Sequence, residues 1–349
     1  MRDRALARRT QRYIACDCQY AGEYRKLRFQ SYERHDVKHL TRRTLIKGAS
    51  AGAALAAIGS TRAAVARQNN GAEVSIGSKN FTESLIVGEM VGLLLEQNGF
   101  SVNRHLNLGG TVVAHESLVN GDIDAYVEYT GTGLMAILGH DLPAIDEGKD
   151  QSLPQMVYDI VASEYPEEFD LVWLEPWGFN NTNALIMTRE SAEELGVTKT
   201  SDLKPLAGEM TLGSDQEFRV RPDGLPQFEK TYDFSFDEVI SGDIGLMYPA
   251  LANGEVDVIQ GYSTDGRIQS LDLVLLEDDL GFFPPYFAAP VVRRQLLEEN
   301  PEIETILNQL SGKIDDTTMA GINARVDVDD LEPIEAAREF LEAEDLYDA

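Results

Sequence analysis

Two stretches of the chain each place a tyrosine at the same distance after an Asn-Gly pair. In residues 120–129 and 253–262, an Asn-Gly pair is followed by a tyrosine, nine residues after the asparagine. A helical apolar pattern precedes each pair, so the glycine suits a left-handed helix C-cap, and a short apolar strand follows. Ligands of open α/β sheets bind at the carboxyl ends of strands. The repeat predicts two similar lobes that each offer a tyrosine to a shared cleft; the alternative is two ordinary core tyrosines.

The charge of the chain is strongly acidic and unevenly distributed. Its 349 residues carry 30 basic and 59 acidic side chains, a net charge of −29. Residues 1–66 hold 14 basic and 5 acidic side chains, whereas residues 67–349 hold 16 and 54. Such a surface repels nucleic acid and anionic lipid. The imbalance indicates adaptation to high salt, where counterions screen self-repulsion; an ordinary acidic protein is the alternative.

The sequence carries no pattern that indicates catalysis or a metal site. Both cysteines, Cys16 and Cys18, precede residue 67, so the remaining chain has no disulfide, thiolate ligand or cysteine nucleophile. It also lacks nucleophile-elbow, zinc-protease and P-loop motifs. We therefore expect a protein that is not an enzyme and needs no cofactor or metal. The alternative is an exported α/β enzyme in which Glu128 and Asp265 form a carboxylate pair.

The N-terminal segment has the order of an export signal. Arg42 and Arg43 precede a weakly apolar run at residues 48–59 and a small-residue site, Ala64-Val65-Ala66. Paired arginines before an Ala/Gly-rich run are typical of a twin-arginine signal. No lipid-anchoring cysteine follows the run, and no other segment has the ~20 apolar residues of a membrane span. Residues 1–66 are thus predicted to be an extension and signal, and the protein to be exported to the extracellular face of the cytoplasmic membrane.

Strands and helices alternate along the rest of the chain, which predicts parallel α/β units. A polar run near residue 181 and the prolines Pro284 and Pro285 interrupt this alternation. We place two crossings between lobes there, as a two-stranded hinge that permits closure around a ligand. The predicted lobes are lobe I, residues 73–181 and 288–349, and lobe II, residues 182–287.

Five sequence blocks, in order and with consistent spacing, carry a specific resemblance. They are residues 77–83 (Gly-Ser-Lys-Asn-Phe-Thr-Glu), 128–132 (Glu-Tyr-Thr-Gly-Thr), 178–182 (Gly-Phe-Asn-Asn-Thr), 245–248 (Gly-Leu-Met-Tyr) and 262–267 (Tyr-Ser-Thr-Asp-Gly-Arg). With them the chain resembles the substrate-binding proteins of ABC transporters for osmoprotectants (glycine betaine, proline betaine, choline), of the haloarchaeal type with a twin-arginine signal. The resemblance implies an α/β fold of the two-lobed type II periplasmic-binding-protein (Venus-flytrap) kind. It also implies a small-molecule osmoprotectant as ligand, an ABC permease with its ATPase as partner, and a monomer that meets the membrane only through the permease.

The resemblance implies a box of aromatic rings around a quaternary ammonium. The corresponding residues are Tyr129, Tyr262 and Tyr286, while Asn183 stands where the family has a fourth tyrosine. A trimethylammonium cannot donate hydrogen bonds, so electron-rich apolar faces suit it, at about 0.5–2 kcal/mol per desolvated ring. With Asn183, either the affinity is lower, or another aromatic residue fills the gap, or the ligand is a different solute such as an amino acid.

The resemblance also implies residues that hold the carboxylate of a betaine. They are Lys79, Thr132 and Arg221, with a backbone contact from Asn181. A guanidinium pairs a carboxylate through two parallel hydrogen bonds, and a lysine adds a point charge. Two alternatives remain open: Lys79 pairs with a neighbouring glutamate, or Arg219 takes the role of Arg221.

Overall fold

The computed structural model describes residues 71–144 and 151–348, which belong to one compact unit. The predicted extension and twin-arginine signal in residues 1–66 lie outside the described residues. Within these ranges, no helix combines the length and the apolar character that a bilayer crossing requires.

Ten strands and thirteen helices make up the described part of the chain, together with short 3-10 segments. The strands are β1 Glu73–Gly77, β2 Ser101–His105, β3 Ala125–Tyr129, β4 Leu171–Trp173, β5 Asn183–Thr188, β6 Thr211–Asp215, β7 Glu238–Gly242, β8 Val258–Tyr262, β9 Leu273–Leu275 and β10 Ala288–Arg293. The helices are α1 Thr82–Gln97, α2 Thr111–Asn120, α3 Thr130–Thr132 (continued by a π-helix, Gly133–Leu138), α4 Leu153–Glu168, α5 Arg189–Leu195, α6 Gln216–Val220, α7 Leu225–Tyr232, α8 Ile244–Ala252, α9 Arg267–Ser270, α10 Arg294–Glu299, α11 Glu302–Leu307, α12 Asp316–Asp327 and α13 Pro333–Ala343.

The strands form two five-stranded sheets with the same topology. Their orders are β2-β1-β3-β10-β4 in lobe I and β7-β6-β8-β5-β9 in lobe II. In each sheet the first three strands are parallel, and the fourth, which arrives from the other lobe, is antiparallel to both its neighbours. This arrangement confirms the predicted α/β class and the two-lobed fold. The sequence did not predict β9, because a three-residue strand is defined only by its pairing with β5.

The repeated Asn-Gly pattern occupies equivalent places in the two lobes. Helix α2 and strand β3 correspond to α8 and β8, and each pair crosses to the third strand of its sheet. Gly121 and Gly254 follow the two helices with φ of 80° and 72°, the left-handed region in which a side chain costs free energy. The predicted helix ends are therefore confirmed.

Two antiparallel segments connect the lobes. Asn180 forms a bridge with Phe287, and the Asn181 N–H donates to the Tyr286 carbonyl at 3.1 Å. Because the segments hydrogen-bond to each other, they form a two-stranded hinge.

Both faces of each sheet are covered by helices, so each lobe has two apolar cores. In lobe I, α1 is buried along almost its whole length, and Met90, Leu93 and Leu94 pack with the C-terminal helices on one face of the sheet. Each such side chain contributes about 1.5–3 kcal/mol through burial. These cores hold the carboxyl ends of the strands in fixed positions along the cleft.

Candidate functional site

A cavity of about 420 Å³ lies between the lobes. Its wall includes all the residues that the sequence singled out as ligand-binding candidates. They are Lys79, Tyr129, Thr132, Asn181, Asn183, Arg221, Tyr262 and Tyr286. The fold thus brings together side chains that are up to 207 residues apart in the chain.

Three tyrosines and a phenylalanine form an aromatic wall in this cavity. Tyr129 ends β3, Tyr262 ends β8, and Tyr286 lies just before β10. The ring centroid of Phe81, in the loop before α1, lies 6.0 Å from the ring centroid of Tyr129 and 5.2 Å from that of Tyr262. Sequence reasoning did not assign Phe81 a role, although it lies in the first resemblance block. It joins the rings of the two lobes; Phe218 also lines the wall.

Asn183 is held by hydrogen bonds rather than left free in the cavity. It begins β5 opposite Tyr262, and its Oδ1 accepts a hydrogen bond from Gln260 Nε2 at 2.7 Å. Gln260 is fully buried, and its Oε1 accepts from the backbone N–H of Asp215. The amide that stands in place of a fourth tyrosine is therefore part of a fixed polar network.

Lys79 is ion-paired within the protein. Its Nζ lies 2.6 Å from Glu128 Oε1, and the two side chains are 7% and 0% exposed. The same ammonium lies over the Tyr129 ring, 4.8 Å from its centroid. The sequence left open whether Lys79 holds a ligand carboxylate or pairs with a neighbouring glutamate. The structure has the pairing with glutamate, although Lys79 also lines the cavity.

Arg221 also has an acidic partner. Its Nε donates to Asp223 Oδ1 at 3.0 Å, and Glu217 lies 3.7 Å from its Nη1. Arg219 does not line the cavity and donates instead to Ser241 Oγ at 2.9 Å. The geometry therefore favours Arg221 over Arg219 as the arginine of the site.

The phenols of the two repeated tyrosines donate to carboxylates that the sequence did not identify. Tyr129 donates to Glu83 Oε1 at 2.7 Å, and Tyr262 donates to Asp215 Oδ2 at 2.6 Å. Burial and the adjacent carboxylate charge raise the pKa of both phenols well above the usual value, so both remain protonated donors. A carboxylate at the carboxyl end of a strand, as Asp215 is in β6, was the available sequence signal.

Glu83 is the centre of a hydrogen-bond network that joins both lobes and the hinge. Tyr129 and Asn181 donate to its Oε1, and Thr264 and Asn323 donate to its Oε2, at 2.6–2.9 Å. Burial raises its pKa, and these four hydrogen bonds oppose the rise because they stabilise the ionised form. The network fixes Tyr129 relative to the hinge.

A hydrogen bond connects the two lobes across the cleft. Glu217 of lobe II accepts a hydrogen bond from the backbone N–H of Thr111, the first residue of α2 in lobe I, at 3.2 Å. A carboxylate is favourable at a helix N-terminus. A Cβ at Gly110 would lie 2.2 Å from Glu217 Oε1, so a side chain there would displace the Glu217 carboxylate from this contact.

The carboxylate pair of the enzyme alternative is not formed. Glu128 pairs with Lys79, whereas Asp265 pairs with Arg267 at 2.9 Å. Asp265 lines a separate cavity of about 270 Å³. The two carboxylates are therefore engaged with different cations.

Comparison with known proteins identifies relatives of this chain. A family model described as the substrate binding domain of an ABC-type glycine betaine transport system matches residues 72–343. A carnitine transport binding protein of Listeria monocytogenes is 36% identical over 278 residues, which is 79% of this chain and 88% of that protein. A glycine-betaine-binding protein of Pseudomonas aeruginosa is 36% identical over 284 residues, covering 78% and 88%.

A solved structure described as a glycine betaine/carnitine/choline ABC transporter is similar with a TM-score of 0.65 and 36% identity. The match covers 79% of this chain and 100% of that one. Members of this family bind a substrate for an ABC transporter and are not enzymes. These matches and the shared fold show that the chain belongs to the family of substrate-binding domains of ABC-type glycine betaine transport systems.

Proposed function

We propose that the protein captures glycine betaine or a related quaternary-ammonium osmoprotectant between its lobes and delivers it to an ABC permease powered by its ATPase. The observation that carries the proposal is the convergence of Tyr129, Tyr262, Tyr286 and Phe81 on one interlobe cavity. Its volume lies in the range of small-molecule sites, roughly 300–1,000 Å³. In this proposal the rings enclose the trimethylammonium, whose methyl groups need apolar, electron-rich faces.

The polar end of the ligand is proposed to lie against Lys79, Thr132 and Arg221, with a backbone contact from Asn181. Lys79 and Arg221 keep donors beyond those used by Glu128 and Asp223, because an ammonium has three N–H groups and a guanidinium has five. Each of these residues lines the cavity. Their charges are already balanced by carboxylates, so a ligand carboxylate receives hydrogen bonds here rather than strong net Coulomb attraction.

We also propose the cellular setting. Residues 1–66 act as an extension and twin-arginine signal, and the mature protein works as a monomer outside the cytoplasmic membrane. Lobe I consists of residues 73–181 and 288–349, lobe II of residues 182–287, and no step of the function involves catalysis. The acidic surface suits an environment of high salt.

Calorimetric titration of glycine betaine in molar KCl, with choline and glycine as comparison ligands, tests the proposal. We expect saturable 1:1 binding of glycine betaine and no heat with glycine, which lacks methyl groups on its nitrogen. An absence of heat with both quaternary amines, from protein with a cooperative melting transition, would refute the proposal. Binding of glycine alone would instead support the second candidate, an amino-acid-binding protein, which Asn183 favours because it replaces an aromatic face by an amide.

A further inference from the structure

We infer that Glu83 and Asp215 set the charge specificity of the site: each accepts the phenol hydrogen bond of one tyrosine of the aromatic wall and strengthens the binding of a cationic head group. The inference rests on the proposed function and names residues that determine its selectivity. Neither residue is among the tyrosine, lysine, arginine and threonine positions that the family resemblance supplies.

The first observation is that the arrangement occurs in both lobes. Glu83 lies in the first turn of the helix after β1, and Asp215 ends β6. Strands β1 and β6 hold the same place in their sheets, next to the strands that end in Tyr129 and Tyr262. Each lobe therefore supplies a carboxylate to the phenol of its own tyrosine, at 2.7 Å and 2.6 Å from the phenol oxygens, although the two carboxylates do not occupy equivalent positions in the chain.

The second observation is that neither carboxylate forms an ion pair. Within residues 71–144 and 151–348, no lysine, arginine or histidine nitrogen lies within 4.0 Å of either carboxylate. Glu83, only 2% exposed, receives its four side-chain hydrogen bonds from neutral hydroxyl and amide groups. The two cations of the cavity, by contrast, are already paired with Glu128 and Asp223. Because these two pairs are neutral, the charges of Glu83 and Asp215 leave the surroundings of the rings net negative, even with the Lys79 ammonium 4.8 Å from the Tyr129 centroid. A cationic head group offsets this charge.

The third step is the effect on the rings. A phenol that donates to a carboxylate gains electron density, and hydrogen-bonded chains polarise one another in a site of low dielectric constant. The attraction of a cation to a ring face grows with the negative charge of that face. The carboxylates also attract the cation directly, because one tyrosine side chain separates each carboxylate from the proposed position of the cation. An uncharged head group of the same shape gains from neither effect.

The test compares two ligands that differ only in charge at the head group. Glycine betaine and 3,3-dimethylbutanoate have the same shape and carboxylate, with carbon in place of the cationic nitrogen in the second. Both are titrated into the wild-type protein and into Asp215→Asn. Asparagine still accepts the hydrogen bond that Asp215 Oδ1 receives from the Phe218 N–H at the start of α6, so the helix cap is retained.

We expect Asp215→Asn to lower the preference for glycine betaine over 3,3-dimethylbutanoate about tenfold, mainly through weaker binding of glycine betaine, because only its head group carries a positive charge. Asp243→Asn is the matched control, because Asp243 lines the same cavity and caps α8 but accepts no hydrogen bond from a tyrosine of the described residues. It should change the preference less than about threefold. Glu83→Gln tests lobe I in the same way after its melting temperature has been checked; if it does not fold, the Asp215 comparison decides.

Equal losses for both ligands in Asp215→Asn would show a structural role and overturn the inference, as would an unchanged preference. A wild-type protein that binds neither glycine betaine nor choline would instead overturn the proposed function, and this inference with it. The two failures are therefore distinguished by the wild-type titration.

Discussion

Replacing Lys79 by methionine should destabilise the protein strongly, because it leaves a buried carboxylate without its cation. Glu128 is 0% exposed, and the Lys79 ammonium 2.6 Å away is its cationic partner. After the change, its remaining donors are the Tyr126 hydroxyl at 3.1 Å and the Tyr129 N–H at 2.7 Å, both neutral. Breaking one side of a buried ion pair costs about 3–5 kcal/mol. The loss of the ammonium over the Tyr129 ring adds about 0.5–1 kcal/mol.

The double variant Lys79→Met/Glu128→Gln separates the cost of a lone charge from the value of the pair. The glutamine oxygen still accepts from the Tyr126 hydroxyl and the Tyr129 N–H, while both charges are gone. We expect it to recover most of the lost stability, to within about 1–2 kcal/mol of the wild type. A double-mutant cycle then gives a coupling of roughly 2–3 kcal/mol.

Urea unfolding at constant salt measures these free energies, and the melting temperature of Lys79→Met should fall by roughly 5–15 °C. A loss below about 1 kcal/mol for Lys79→Met would show that water screens the pair and would refute the reasoning. Additive effects of the two substitutions would refute it equally. Circular dichroism before unfolding confirms that each variant starts from the same fold.

Three further predictions concern the ring box, the closed cleft and acid stability. Tyr262→Ala should weaken glycine betaine binding about 10- to 100-fold in calorimetry, while Tyr262→Phe, which keeps the ring, should lose less than about tenfold; equal losses would contradict a role for the ring face. Glu217→Gln should raise the ligand dissociation rate about three- to tenfold in stopped-flow measurements, because a neutral amide interacts less with the N-terminus of α2; an unchanged rate would show that this contact does not hold the cleft closed. Burial raises the pKa of Asp265 to about 6, with the one cation Arg267 opposing the rise. The folded protein therefore binds this proton more tightly than the unfolded chain, whose aspartates titrate near about 3.9. Asp265 thus contributes up to about 3 kcal/mol of stability as the pH falls from about 6 to about 4. Comparison of the pH dependence of unfolding with that of Asp265→Asn isolates this contribution, and parallel curves would contradict it.

Local sequence signals were sufficient for the repeated helix–glycine–strand–tyrosine units. A glycine that adopts the left-handed conformation ends a helix through its local backbone geometry. The alternation of side chains along a short strand then determines which face the last residue of the strand occupies. For this reason the positions of Tyr129 and Tyr262 at strand ends could be predicted from the sequence. The family resemblance then indicated further residues of the cavity wall, including Tyr286.

Only the tertiary structure decided which charges are free and which are compensated. Glu83 receives hydrogen bonds from residues 46 to 240 positions away, and Asp215 meets Tyr262 across 47 positions. Such contacts depend on the sheet order and on closure of the lobes, and no local pattern encodes either. The pairing of Lys79 with Glu128 and the place of Phe81 between two tyrosines follow from the same long-range packing. The sequence by itself determined which residue types reach the cleft, whereas the fold determined their charge environment, because Coulomb and hydrogen-bond energies depend on distances in space and not along the chain.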